Sequence, residues 1–201
     1  MAIDVKKEMK AFYQPPTSPV LIDVPEMNFI MLDGEGHPDS EVFQQTIQTL
    51  YSVAYTIKFA IKKQRTGEEF VVPPLEGLWW TAGESEFDMG NKNNWAWTLM
   101  IMQPDFVTAE IFRAAIVEIQ KKKDLELLHK VTFEKFHEGL SVQLMHIGPY
   151  SDEPVNIKKM HDFAAESGFK IHGKHHEIYL GDPRRTAPEK LKTVLRQPIT
   201  K

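Results

Sequence analysis

The sequence predicts an α+β protein made by tandem duplication of one unit, each copy running strand, glycine-containing turn, helix, aromatic-bearing strand, strand. Three observations carry that expectation. Phe43, Ile47, Leu50, Ala54, Ile57 and Ile61 recur alternately four and three residues apart, the stripe of a helix with one buried face. His175 to Leu180 alternates apolar with polar residues, as a strand covered on one face does. The order of elements then restarts at about residue 126, so that Met31 to Gly36 corresponds to Met145 to Tyr150, and Leu78-Trp79 to Ile178-Tyr179.

Residues 1–20 read as a polar lead-in, with a helical turn or two from Lys6 to Tyr13 that Pro15-Pro16 stops. Met27 to Leu32 is a strand and Asp33-Gly34-Glu35-Gly36 its turn. Asp39-Ser40 caps the long helix, and Thr66-Gly67 ends it. Pro73-Pro74 introduces a strand over Leu75 to Thr81, and Gly83 to Asn94 has the Gly, Asn and Asp content of a loop. Trp95 to Met102 is a third strand. A helix follows from about Phe106 to Lys123, with Phe112, Ala115, Ile116 and Ile119 on one side. In the second copy, Val131 to His137 and Leu140 to Ile147 read as two strands joined by a turn at Glu138-Gly139. Asp152 or Glu153 caps a helix with Pro154 at its first position; Ile157, Met160, Phe163 and Ala164 form its apolar face, and Gly168 ends it. His175 to Leu180 and Leu191 to Ile199 are the closing strands. The expected division is a lead-in over 1–20 and one domain over 21–201, with repeats at about 21–125 and 126–201. Two such units with paired sheets leave a groove along their pseudo-twofold axis, a frequent place for a ligand.

Composition narrows the function. The 201 residues include no cysteine, which removes disulfide frameworks, thiolate metal sites and cysteine nucleophiles together. The N-terminus has no apolar signal segment and no apolar run approaches a membrane span, so a cytoplasmic protein without membrane contact is expected. A net charge of −4 argues against direct nucleic-acid binding. Lys121-Lys122-Lys123 closes an expected helix, where cations complement the helix dipole.

The stretch His146-Ile147-Gly148-Pro149-Tyr150, a helix, and then His176-Glu177-Ile178-Tyr179-Leu180-Gly181-Asp182-Pro183 resembles the GyrI-like small-molecule-binding family. Glu76-Gly77-Leu78-Trp79-Trp80 and Trp95-Ala96-Trp97 are similar to its stand-alone branch, and the resemblance spans roughly residues 20–200. The same domain forms the effector-binding half of multidrug-responsive transcription regulators. The resemblance implies two βαββ units enclosing a cleft of aromatics and one or two carboxylates, which takes bulky, often cationic or polycyclic compounds. It also implies that some stand-alone members hydrolyse the cyclopropane ring of DNA-alkylating cyclopropanoid antibiotics. Twenty residues before the first strand leave no room for a helix-turn-helix, so a DNA-bound sensor is not expected.

Alternation places Glu177 and Tyr179 on one face of a strand, which by itself suits either a wet sheet surface or a ligand pocket. The family's glutamate falls on Glu177. The resemblance therefore implies a desolvated carboxylate that holds a cation or acts as acid or base, with Tyr179 as its partner in chemistry. Tyr150, at a strand end after the Gly-Pro turn, is a ligand contact at the mouth of the cleft. Trp79, which the repeat pairs with Tyr179, and Trp97 are expected wall residues, with Tyr51 and Tyr55 beside the stripe of the long helix as further lining. His172, His175 and His176 suggest a metal only superficially, because adjacent strand residues point apart; no metal and no cofactor is expected. Two functions stay open: a hydrolase in which Glu177 activates water, and a binding protein without chemistry that sequesters drugs or inhibits a protein partner such as gyrase.

Overall fold

The computed structural model describes residues 2–64, 67–81, 83, 90 and 92–201. Two short helices, α1 (Val5–Glu8) and α2 (Lys10–Tyr13), precede β1 (Val20–Glu35) and α3 (Glu41–Gln64). The first half continues with β2 (Leu75–Thr81), β3 (Trp95–Gln103) and α4 (Ala109–Gln120). The second contains β4 (Thr132–Ile147), α5 (Glu153–Glu166), β5 (Lys170–Ile171), β6 (His175–Tyr179) and β7 (Lys192–Thr200). Six strands close into an antiparallel barrel in the order β4-β1-β3-β2-β6-β7, with β7 returning to β4. Within the halves the pairing corresponds, β1-β3-β2 in the first and β4-β7-β6 in the second. The halves join along two seams, β1–β4 and β2–β6.

Both faces of the barrel wall are covered, which explains why β3 is apolar almost throughout rather than alternating. Phe29, Met31, Leu78, Met100, Met102, Met145, Ile178 and Val194 meet on one face together with Val5 and Tyr13 of the N-terminal segment. On the other, α3 and α4 cover Ile30, Leu32, Leu75, Trp79, Trp97, Leu99 and Ile101. A separate cluster packs Ile157, Met160 and Ala164 of α5 on Val142, Leu144 and Leu195. Among the described residues no helix is long and apolar enough to cross a membrane.

Several boundaries differ from the sequence reading. Glu138-Gly139 is not a turn: β4 runs unbroken because β1 is equally long, with Gly139 opposite Val24 and His137 opposite Glu26. β1 itself begins at Val20, seven residues early, its first half disguised by Asp23, Pro25 and Glu26. The Thr108 side chain accepts from Ile111 N and starts α4 at Ala109. Of the expected loop at 83–94, residues 92–94 form a single 3₁₀ turn; most of the rest, like Thr66 at the end of the long helix, lies outside the described residues.

The lead-in is a plug as well as a polar segment. Val5 and Tyr13 are buried, and the backbone of α2 is tied to a group of charges inside the wall. His176 places Nε2 3.0 Å from Glu76 Oε2 and Nδ1 2.9 Å from Glu138 Oε1, so each ring nitrogen faces a carboxylate. Arg196 donates to Glu138 Oε2 at 3.0 Å, to Gln143 Oε1 at 3.0 Å and to the Phe12 carbonyl at 2.7 Å. Tyr13 donates to Glu76 at 3.0 Å, and Gln143 donates to the Ala11 carbonyl at 2.7 Å. Burial opposes charge on both His176 and Glu138, but the opposite charges beside them prevail. His176 is raised to about 9 and Glu138 is lowered to about 2.

Gly34 lies opposite Trp97 in the β1–β3 ladder, and a side chain there would enter the indole ring itself. Trp97 is fully buried and has no room to yield. Gly34→Ala is expected to cost about 3 kcal/mol, read as a lower midpoint in urea unfolding. An unchanged midpoint would show that the indole can move aside.

Candidate functional site

The site grows from the period-two geometry of β6. His176 and Ile178 belong to the plugged interior, whereas Glu177 and Tyr179 stand on the opposite face. Tyr179 donates to Glu177 Oε2 at 2.7 Å and accepts from Trp79 Nε1 at 3.0 Å, so β2 and β6 are joined by an indole–phenol–carboxylate chain. Gly77 lies opposite Glu177 in the β2–β6 register. A Cβ there would come within 2.8 Å of Trp79 Nε1 and 3.3 Å of the Tyr179 hydroxyl, so the absence of a side chain makes room for that chain. His175 Nε2 lies 3.3 Å from Glu177 Oε1, so both carboxylate oxygens have a partner.

The turn before α5 supplies the other wall. The Tyr150 ring meets that of Tyr179 edge-on at 5.9 Å, and Tyr150 remains 38% exposed. His146 holds this turn: its Nε2 lies 3.1 Å from the Pro149 carbonyl and must donate, leaving Nδ1 to accept from Asn156 of α5 at 2.8 Å. The first turn of α5 then aims Glu153 at Glu177. Glu153 is only 5% exposed, and no donor reaches its Oε1.

Two carboxyls brought together away from water cannot both ionise freely. Burial and the neighbouring Glu177 charge push Glu153 up to about 10, against the pull of Thr193 and Lys92. Burial also opposes charge on Glu177, but His175 and the Tyr179 hydroxyl outweigh it and hold that carboxyl below its usual value. Near neutrality the pair therefore carries one proton, on Glu153. Burial and the adjacent carboxylates raise Tyr150 to about 12 and hold Tyr179 well above its ordinary value.

Glu177, Tyr179 and Tyr150 thus stand together, and Trp79 joins them only through its indole N–H. That residue is 3% exposed and its ring is stacked on Phe43 at 5.7 Å, so it braces the group from the core rather than offering an open wall. Tyr51 is half-buried at one side, its hydroxyl by the Leu75 backbone and near Asp182 and Arg184. Tyr55 is 45% exposed, between Tyr51 and Phe59 on the surface of α3 with both ring centroids at 6.3 Å, and is not part of the group around Glu177. Trp97 is turned into the core, its ring 5.1 Å from Phe43 and its Nε1 donating to the Gly36 carbonyl, so it presents no surface to a ligand. The neighbouring tryptophan on its strand, Trp95, is half-buried instead, 5.3 Å from Trp79 with Lys92 above its ring. From sequence Glu153 has only the role of a helix cap; the signal for more is the three-residue step from Tyr150, one turn along the 3₁₀ segment that leads into α5. Among the described residues no His, Cys, Asp and Glu group is arranged to hold a metal ion.

The family model of the GyrI-like small molecule binding domain matches residues 17–200. The chain belongs to the GyrI-like family. Three solved structures from Listeria innocua are similar to this GyrI-like chain. One, an uncharacterized conserved protein, is 47% identical with a TM-score of 0.92, covering 98% of this chain and 100% of that one. Two described as hydrolases are 45% and 44% identical, with TM-scores of 0.89 and 0.87, and cover 100% and 98% of this chain and the whole of their own. The C-terminal domain of EcmrR shares the fold at 13% identity and a TM-score of 0.58, over 92% of this chain and 98% of that one. No match is found among curated proteins.

Proposed function

We propose that this GyrI-like protein binds bulky aromatic compounds in a cleft between its two halves and hydrolyses the strained, electrophilic ones, with cyclopropanoid DNA-alkylating compounds as substrates. The observation that carries this is Glu177: an ionised carboxylate, held by Tyr179 and His175, set beside the rings of Tyr150 and Tyr179. Flat rings suit that face through stacking, and cationic ones gain about 0.5–2 kcal/mol per aromatic contact. The correspondence of β1-β3-β2 with β4-β7-β6 supports a duplicated unit with the ligand at its β2–β6 seam. Similarity to two proteins described as hydrolases supports chemistry over sequestration alone.

In the reaction, water attacks the cyclopropane methylene and gives a proton to Glu177. The breaking ring C–C bond sends its electron pair through the dienone to the carbonyl oxygen, which becomes a phenolate. Solvent then protonates it to the phenol and takes up the proton held by Glu177, restoring the base. Tyr179 has its proton committed to Glu177, so Tyr150 is the group that hydrogen-bonds that carbonyl. Glu177→Gln keeps the shape of the site and removes the base. Turnover of a spirocyclopropyl-cyclohexadienone should fall by about 10²-fold with little change in affinity, measured by single-turnover kinetics and calorimetry. If the wild type leaves such compounds unchanged while binding them, the face only sequesters its ligands.

A further inference from the structure

We infer that the outer face of α3, together with the end of α4, binds single-stranded nucleic acid, with bases on an aromatic ladder and phosphates on the lysines around it. The inference does not depend on the chemistry at Glu177. Tyr51, Tyr55 and Phe59 follow one another at four-residue steps, so they line up along one side of α3. Successive ring centroids are 6.3 Å apart, with planes inclined by 35° and 30°. Tyr55 is 45% and Phe59 53% exposed, although the opposite stripe of the same helix is fully covered. Two open hollows of about 590 and 470 Å³ adjoin there and share Thr56 and Phe59.

Lysines rim both hollows, Lys62, Lys63 and Lys122 at one and Lys123 at the other. Lys58 lies 5.9 Å from the centre of the Tyr55 ring, and Lys121 follows the end of α4. Lys62 faces Glu69 at 3.9 Å and Lys122 faces Glu118 at 2.7 Å. Among the described residues Lys58, Lys63, Lys121 and Lys123 stand in no ion pair. The net charge of −4 therefore conceals a face on which cations gather. Helix dipoles account for lysines at the ends of α3 and α4, but not for aromatic rings left in water between them.

Rings that stack with bases and lysines that attract phosphates are the two parts of a single-strand site, and neither reads sequence. Steps of 6.3 Å are nearly twice the spacing of stacked bases, about 3.4 Å, so bases drawn apart can each take a ring. A duplex keeps its bases stacked inward and would offer the rings only its backbone. A second copy meeting this face about a twofold axis would set lysine against lysine. A bilayer calls for an apolar face, whereas Ser52, Tyr55 and Thr56 bring hydroxyls to the hollows.

The test is fluorescence anisotropy with a labelled, mixed-sequence DNA strand of about 16 nucleotides, alone and annealed to its complement. The wild type is expected to bind the single strand about tenfold or more tighter than the duplex. Its affinity should fall with salt at a logarithmic slope of about −3, as four lysines on phosphates require. Tyr55→Ser with Phe59→Ser should weaken binding about tenfold or more and leave that slope unchanged. Lys63→Glu with Lys123→Glu should weaken it and make the slope shallower by about 1.4. Lys170→Glu with Lys190→Glu makes the same charge change at exposed positions elsewhere and should do neither. A wild type that leaves the strand free at about 100 μM protein overturns the inference. So does strand binding that the serine variant leaves intact, or that the control reversal weakens as much as the Lys63 and Lys123 reversal. Flotation with phosphatidylserine vesicles, or a dimer in sedimentation that Phe59→Ser disperses, in the absence of strand binding assigns the face to a membrane or a second copy and overturns it as well.

Discussion

Arg196→Met is expected to lower the unfolding free energy by about 3–5 kcal/mol, the usual cost of removing one partner from a buried ion pair. The guanidinium has three separate duties: a charged bond to Glu138, a bond to Gln143 Oε1 and a bond to the carbonyl of Phe12. Methionine fills much of the volume but strands all three acceptors where water has little access. Glu138 would keep only His176 as a partner, and α2 would lose one of its ties to the wall. Urea unfolding followed by circular dichroism measures the loss. A change below about 1 kcal/mol would mean that the interior is wet enough to screen these charges.

The same charges should make stability fall on both sides of a mildly acidic optimum. His176 is raised from 6.5 to about 9, so its contribution is complete below pH 6.5 and disappears as pH climbs through 9. A shift of that size corresponds to about 3 kcal/mol. Glu153, raised from 4.5 to about 10, acts in the same direction, contributing fully only in acid and less at each step upward. Glu138, lowered from 4.5 to about 2, does the reverse: its contribution is complete above pH 4.5 and is lost as pH falls through 2. Urea midpoints across pH 3–10 should peak near pH 4.5, decline above it as Glu153 loses its contribution, and fall more steeply between pH 6.5 and 9, where His176 adds to the loss. A flat profile over that alkaline window would contradict a charged His176 in the folded protein.

Much of this architecture is legible in sequence because helices with one buried stripe and strands with alternating faces declare themselves. The stripe from Phe43 to Ile61 is the buried face of α3 apart from the half-buried Ile47, and the alternation at His175 to Tyr179 divides β6 as expected. What stayed hidden was closure. Nothing local says that β7 returns to β4, and the polar residues facing inward at Glu76, Glu138, His176 and Arg196 have the spelling of wet surface or turn. Only their mutual pairing makes them interior, and that pairing joins residues from β2, β4, β6 and β7. Trp97 and Trp95 share a strand face, so period alone cannot say which one the long helix covers; Phe43 decides it. Glu153 is hidden for a similar reason, since a glutamate in the first turn of a helix has an ordinary role there.

Two bonds that cross the β2–β6 seam, Trp79 to Tyr179 and Glu76 to His176, each link residues 100 positions apart. They lie on opposite sides of the same strand pair. A slip of β6 by one residue would exchange its faces, driving Glu177 among the methionines of the interior and pulling His176 away from both of its carboxylates. The inner charges therefore act as an alignment pin: by fixing which residue of β6 sits beside which residue of β2, they fix the register on which the outer indole, phenol and carboxylate depend.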